Sequence, residues 1–190
     1  MATVVLIHSA LGLTRHVQAW AETLRLDGHD LLVPDLFDVV TFADLDTAVD
    51  HVDSEGMEHW VDVARAKTAR LEGPRVYVGF SLGAAVSEVL ALTEADAVGA
   101  VLVHGAIAPS WFEIDHWPAQ LTAQLHYSRR DPWGDAQENA AFLALAGDAC
   151  DTFEYEVSGH LFAFEGWPEY DDYASHLLFE RVGDYLATFD

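Results

Sequence analysis

Between Val76 and Ala85 the chain reads Val-Tyr-Val-Gly-Phe-Ser-Leu-Gly-Ala-Ala, and few folds accommodate such a stretch. An apolar run meets Gly79-Phe80-Ser81-Leu82-Gly83 and passes at once into a helical pattern, Ala84 to Thr93. The pattern predicts a strand, one strained turn and a helix, with the serine at the tip. At the tip the backbone adopts a conformation that side-chain-bearing residues disfavour, while strand and helix pass close together. Glycines two before and two after the serine remove the methyl groups that would collide. The hydroxyl then stands clear of the sheet, and the Leu82 amide is aimed where an oxyanion would form.

The rest of the chain alternates in the same way. Apolar runs at Thr3–His8, Asp30–Val33, Arg75–Phe80, Ala97–Val103, Leu121–Tyr127 and Thr152–Val157 predict strands. Helical patterns follow at Thr14–Leu26, Met57–Leu71, Ala84–Thr93, Asp135–Ala146 and Glu169–Thr188. Asp35–Gly56 reads as an acidic loop holding a short helix, its six aspartates and Glu55 taken as solvated charge. Ala106–Ala119 reads as a loop rich in Trp, Pro and Phe. Strands alternating with helices imply βαβ units: one mostly parallel sheet of six strands with helices on both faces. With 190 residues and no linker or repeat, a single domain spanning 1–190 is expected.

Charge excludes several function classes. Nine Lys and Arg against 32 Asp and Glu give a net charge of −23. Such a field repels nucleic acid and anionic membranes and slows anionic substrates, so neither a nucleic-acid nor a membrane partner is expected. No apolar run is long enough to span a bilayer. Met1-Ala2-Thr3-Val4 has no basic region and enters a strand directly, and Cys150 is the sole cysteine; the expected compartment is the cytoplasm. Whether the chain forms a homodimer is left open.

In open α/β sheets, functional side chains gather beyond the carboxyl ends of strands. Three residues pass that filter. Ser81 follows its strand, Asp131 lies four residues beyond Tyr127, and His160 lies three beyond Val157. A serine hydroxyl needs a base to remove its proton, and neutral His160 is such a base. Asp131 would hold the imidazole in the donating tautomer, with Asp135 its rival for that role. A second oxyanion donor is expected from the loop His8-Ser9-Ala10-Leu11-Gly12: the Ala10 amide, with Ser9 the rival. His8 is expected to support that loop. Ser9, Leu11, Trp111, Trp133 and Phe162 are the candidate lining of a substrate pocket. Asp50, His51, Asp53 and His59 lack metal-ligand spacing, so no metal site is assigned.

Ile7-His8-Ser9-Ala10-Leu11-Gly12, Pro34-Asp35-Leu36, Gly79-Phe80-Ser81-Leu82-Gly83, Asp131 and Gly159-His160-Leu161-Phe162 together resemble the dienelactone hydrolase family over nearly the whole chain. The resemblance implies an α/β-hydrolase fold shortened at its N-terminus, a triad of nucleophile, Asp131 and His160, and no cofactor. This chain departs from the family by carrying Ser81 where the family has cysteine and Ser9 where it has glutamate. Phe164 also stands where a carboxylate-binding arginine is usual. The expected substrate is therefore a small neutral ester, lactone or thioester, cleaved through an acyl-enzyme on Ser81. Two alternatives stay open: an acyltransferase or perhydrolase using the same triad, or a non-catalytic small-ligand-binding protein on the same scaffold.

Overall fold

A computed structural model of the protein describes residues 1–189. Its elements in order are β1 (Thr3–Ile7), α1 (Arg15–Leu26), β2 (Leu31–Leu32), α2 (Leu45–Glu55), α3 (Met57–Thr68), β3 (Arg75–Phe80), α4 (Leu82–Thr93), β4 (Ala97–Val103), β5 (Thr122–Arg130), α5 (Ala136–Ala146), β6 (Cys150–Ser158) and α6 (Asp172–Leu186). The six strands form one sheet in the order β2-β1-β3-β4-β5-β6, and every pairing is parallel.

The strand order reverses between β1 and β3. Only the β1-to-β2 connection runs one way; all later ones run the other. Right-handed crossovers therefore place α1 on one face and α3 and α4 on the opposite face. α6 joins α1, where the Trp20 and Phe179 rings lie 4.9 Å apart and the Trp20 indole N–H donates to the Ala163 carbonyl at 3.2 Å. Cover on both faces explains why β3 is buried along its whole length and why β1 and β4 read as near-continuous apolar runs. α4 is buried from Leu82 to Leu92, nearly all round. A helix in that position must be apolar and small on most sides, as Ala84, Ala85 and Ala91 are.

The structure moves several expected boundaries, each for a physical reason. β2 is two residues rather than four, because it pairs only with β1 at the edge of the sheet and Pro34 stops it. Within the acidic stretch lies the eleven-residue α2, with Asp44 as N-cap accepting from the Thr47 N–H at 2.8 Å. Its Leu45, Ala48 and Val52 are buried while Asp46, Asp50 and Asp53 are exposed, so the acids are one side of an amphipathic helix. β5 runs three residues past Tyr127, to Arg130. Polar Ser128 and Arg129 continue it by bonding to β6: the Ser128 hydroxyl donates to the Val157 carbonyl at 2.9 Å, and Arg129 pairs with Glu154. α6 begins at Asp172, capped by the Asp171 side chain, which leaves Glu169 in the preceding loop. None of the helices among the described residues is long and apolar enough to cross a membrane.

Candidate active site

The reversal of strand order opens a crevice beyond the carboxyl ends of β1 and β3. The register brings the chain segments there together. Ile7 pairs with Gly79, and Phe80 with Val103. The turn after β3 is strained, with Ser81 at φ 55° and ψ −114°, a region that costs a residue with a side chain of order 1–3 kcal/mol. Its surroundings leave no alternative. A Cβ on Gly79 would lie 1.9 Å from the Gly83 carbonyl oxygen, and one on Gly83 would lie 2.3 Å from the oxygen of Ile7. The two glycines thus let β3, α4 and the end of β1 meet backbone to backbone.

Ser81, His160 and Asp131 converge at this rim. The Ser81 hydroxyl and His160 Nε2 are 2.6 Å apart, and His160 Nδ1 and Asp131 Oδ2 are 2.7 Å apart. A carboxylate only accepts hydrogen bonds, so Nδ1 carries the proton and Nε2 accepts from the serine. The side chains of His160 and Asp131 are 6% and 5% exposed, which shields this chain of bonds from water. Because β5 ends at Arg130, Asp131 sits directly on the strand end; its second oxygen accepts from the Trp133 N–H at 2.9 Å. Asp135, the rival, is spent as the N-cap of α5, accepting from the Gln137 and Glu138 N–H groups. The loop carrying His160 is fixed by Glu169, whose Oε2 accepts from the His160 and Leu161 N–H groups at 2.8 and 3.2 Å.

Ala10 and Leu82 both border the same cleft. Leu82 is the first residue of α4, so its N–H has no partner within the helix. In the loop after β1, turn bonds use the N–H of Gly12 (to the Ser9 carbonyl) and of Leu11 (to the Ser9 hydroxyl at 3.3 Å), and the Ala10 N–H has no partner among the described residues. Ala10, Ser81, Leu82 and His160 all line one cleft of about 240 Å³. His8 stabilises this loop from behind. Its Nδ1–H donates to the Ser9 carbonyl, and its Nε2 accepts from the Leu36 N–H at 2.9 Å. Burial lowers its pKa, outweighing Asp35, which lies 3.8 Å from Nε2.

Four of the five expected pocket residues do not line that cleft. Ser9, Leu11 and Phe162 are fully buried: Ser9 serves the turn, and Phe162 packs edge-on against His104 and beside Tyr155. Trp111 is 57% exposed on a 3₁₀ turn outside the cleft. An aromatic residue in a loop does not by itself choose between core, surface and pocket. Trp133, carried next to Asp131, does line it. Of the residues considered for metal, His51 packs on the rings of Phe37, Phe42 and Trp60, and His59 on the same Trp60 ring. A larger groove of about 650 Å³ lies between α1 and α6 and touches none of Ser81, His160 or Asp131.

Sequence reasoning missed His104 and Glu88. His104 follows the last residue of β4 at φ 76°, and its ring centroid lies 5.4 Å from that of His160. Complete burial holds its pKa well below the usual histidine value, with further lowering from His160 and His126. The strand-end filter that selected Ser81 would also have selected His104. Glu88 sits inside α4, where its Oε2 accepts from the Ile107 N–H at 2.9 Å; beside it the Ala106 N–H donates to Asn139 Oδ1 at 2.8 Å. Together they hold the loop 105–107 that floors the cleft. Burial pushes the Glu88 carboxyl up to about 8. Because its folded pKa lies above the unfolded value, the native state holds this proton after the unfolded chain has lost it. Stability therefore falls as pH rises from about 4.5 to about 8, by on the order of a few kcal/mol. Glu88→Gln, always neutral, is expected to remove that component: chemical denaturation at pH 5 and pH 8 should show a smaller loss than wild type. An equal loss in both proteins would contradict it.

No curated protein matches this chain. Among solved structures, a dienelactone hydrolase-like promiscuous phosphotriesterase from metagenomic libraries is similar at 18% identity and TM-score 0.78, over 99% of this chain and 86% of that one. Alpha/beta hydrolase domain-containing protein 10 from mouse superposes with TM-score 0.67 at 13% identity, over 99% and 90% of the two chains. An esterase from Pyrococcus furiosus does so with TM-score 0.61 at 15% identity, over 98% and 82%. These likenesses identify the fold as that of the α/β-hydrolases. The sequence profile of the dienelactone hydrolase family matches residues 1–190, and the chain accordingly belongs to that family.

Proposed function

We propose that this protein is a serine hydrolase that cleaves a small ester, lactone or thioester through an acyl-enzyme on Ser81. The observation that carries the reading is the hydrogen-bonded chain from the Ser81 hydroxyl through His160 to Asp131. His160 takes the serine proton as the oxygen attacks the acyl carbon, and then returns it to the leaving alcohol or thiol. The amides of Leu82 and Ala10 receive the negative charge that develops on the carbonyl oxygen. Water, deprotonated by the same imidazole, then releases the acid and restores Ser81. The cleft of about 240 Å³ suits a small acyl group, and Trp133 offers apolar contact at its rim. The nucleophile is an alcohol rather than a thiol, so the resting hydroxyl is neutral and needs His160 for activation.

The test is covalent. A fluorophosphonate probe is expected to label the protein at one position, located at Ser81 by peptide mass spectrometry, and to stop hydrolysis of p-nitrophenyl butyrate in proportion. Labelling elsewhere, or none with activity intact, would refute the acyl-enzyme.

A further inference from the structure

The cleft that holds Ser81 is chemically one-sided. Asp53 from α2, and Asp135 and Glu138 at the start of α5, all line it, and neither lysine nor arginine does. None of the three forms an ion pair among the described residues, although Asp135 accepts two backbone N–H groups at the helix start. Asp53 and Asp135 are exposed and Glu138 is half-buried, so all three carboxylates remain within reach of a ligand in the cleft. Partial burial, and then the Asp135 carboxylate, raise the pKa of Glu138. A cavity of about 240 Å³ is comparable in width with a Debye length of about 8 Å at physiological salt, so salt screens these carboxylates from a bound ligand only partly.

Two further groups in the same wall favour a cation. Trp133, at the cleft mouth, presents an aromatic surface that attracts ammonium groups. His104 is 3% exposed, lines the cleft, and has no hydrogen-bond partner for either ring nitrogen among the described residues. A buried imidazole without partners is uncommon. In its neutral form it keeps one lone pair, and that lone pair accepts from an ammonium N–H.

We infer that the Ser81 cleft selects acyl substrates that carry a protonated amine within a few atoms of the scissile carbonyl, held by Asp53, Asp135 and Glu138 with Trp133 and His104. The inference rests on the serine-hydrolase reading and narrows its substrate to cationic acyl compounds, in place of the neutral ones expected from the sequence. The net charge of −23 adds long-range attraction for the same ligands, and the test separates that contribution from the local one.

Matched butyrate esters that differ only in charge provide the test. In 2-(dimethylamino)ethyl butyrate, protonated at pH 7, an N–H⁺ replaces the branching C–H of 3-methylbutyl butyrate. Choline butyrate likewise matches 3,3-dimethylbutyl butyrate but lacks the N–H. We expect kcat/KM to favour the cationic member of each pair at least tenfold, and the protonated amine to gain more than the quaternary one. In Asp53→Asn/Glu138→Gln the ratio should fall severalfold at low salt.

Equal rates within each pair would overturn the inference. So would failure to cleave either cationic ester by an enzyme that still hydrolyses p-nitrophenyl butyrate; both results leave the hydrolase reading intact. A preference that survives in the double variant but vanishes in 1 M salt would assign it to the whole molecule's field and overturn the local site. No hydrolysis of any ester, together with no fluorophosphonate label on Ser81, would instead reject the hydrolase reading itself.

Discussion

Ser81→Ala is expected to lower kcat for p-nitrophenyl butyrate by on the order of 10⁶-fold, the loss found when the serine is removed from a serine–histidine–aspartate set. The size follows from the number of roles that one oxygen fills. In the proposed mechanism it supplies the attacking electron pair, and it sits 2.6 Å from the imidazole that would activate it. Without it, His160 has only water to activate, and that water is held by nothing comparable to the turn that fixes Ser81. Some acceleration over solution should persist, because the Leu82 and Ala10 amides and the cleft remain. The substitution should leave the fold intact. Alanine and serine meet the same backbone strain at φ 55°, and the lost hydroxyl removes one hydrogen bond, worth about 1 kcal/mol. Thermal unfolding of the variant should therefore stay within a few degrees of wild type. The decisive measurement is turnover of the pure variant with fluorophosphonate-treated wild type as the background. Activity within tenfold of wild type would reject Ser81 as nucleophile.

What could be read from the sequence was whatever the backbone imposes. Gly79, Ser81 and Gly83 are legible because a strand, a strained turn and a helix at van der Waals contact permit few residue types. The strand-end filter likewise singles out Ser81, Asp131 and His160, whose side chains lie within hydrogen-bond distance of one another through His160. Features that depend on neighbours distant in sequence were not legible. The extension of β5 through Ser128 to Arg130 is hydrophilic, and it exists because β6 supplies partners. Leu11 and Phe162 look like pocket residues by type; only packing puts them at 0% exposure, away from the cleft. Glu88 reads as an ordinary helical glutamate, since a helix buried nearly all round cannot be distinguished locally from one with a wet face. The acids of α2 show the same limit from the other direction. They appeared as diffuse surface charge, and the fold turns Asp53 toward the rim of the site.

If backbone contact at the elbow is what fixes Ser81, glycine substitutions should divide sharply by position. Gly79→Ala places a methyl carbon 1.9 Å from the Gly83 oxygen, 2.2 Å from its carbonyl carbon and 2.6 Å from the Ala84 nitrogen. All three are backbone atoms of α4, so no side chain can rotate away; the helix start must move off the sheet. α4 is buried along nearly its whole length against β1, β3 and β4, and its displacement would open the core. A cost of about 4 kcal/mol or more is expected, a large part of the 5–15 kcal/mol that holds such a domain together. The variant should unfold at much lower denaturant or fail to accumulate as soluble protein. Gly183→Ala is the opposing control. Gly183 lies within α6, where an added Cβ meets nothing within 4 Å, so alanine should stabilise by about 0.5–1 kcal/mol through helix propensity and reduced freedom of the unfolded chain. Urea midpoints for the two variants should move in opposite directions. Were Gly79→Ala to unfold near wild type and still hydrolyse esters, strand and helix would not be in contact there, and the placement of Ser81 would need another explanation.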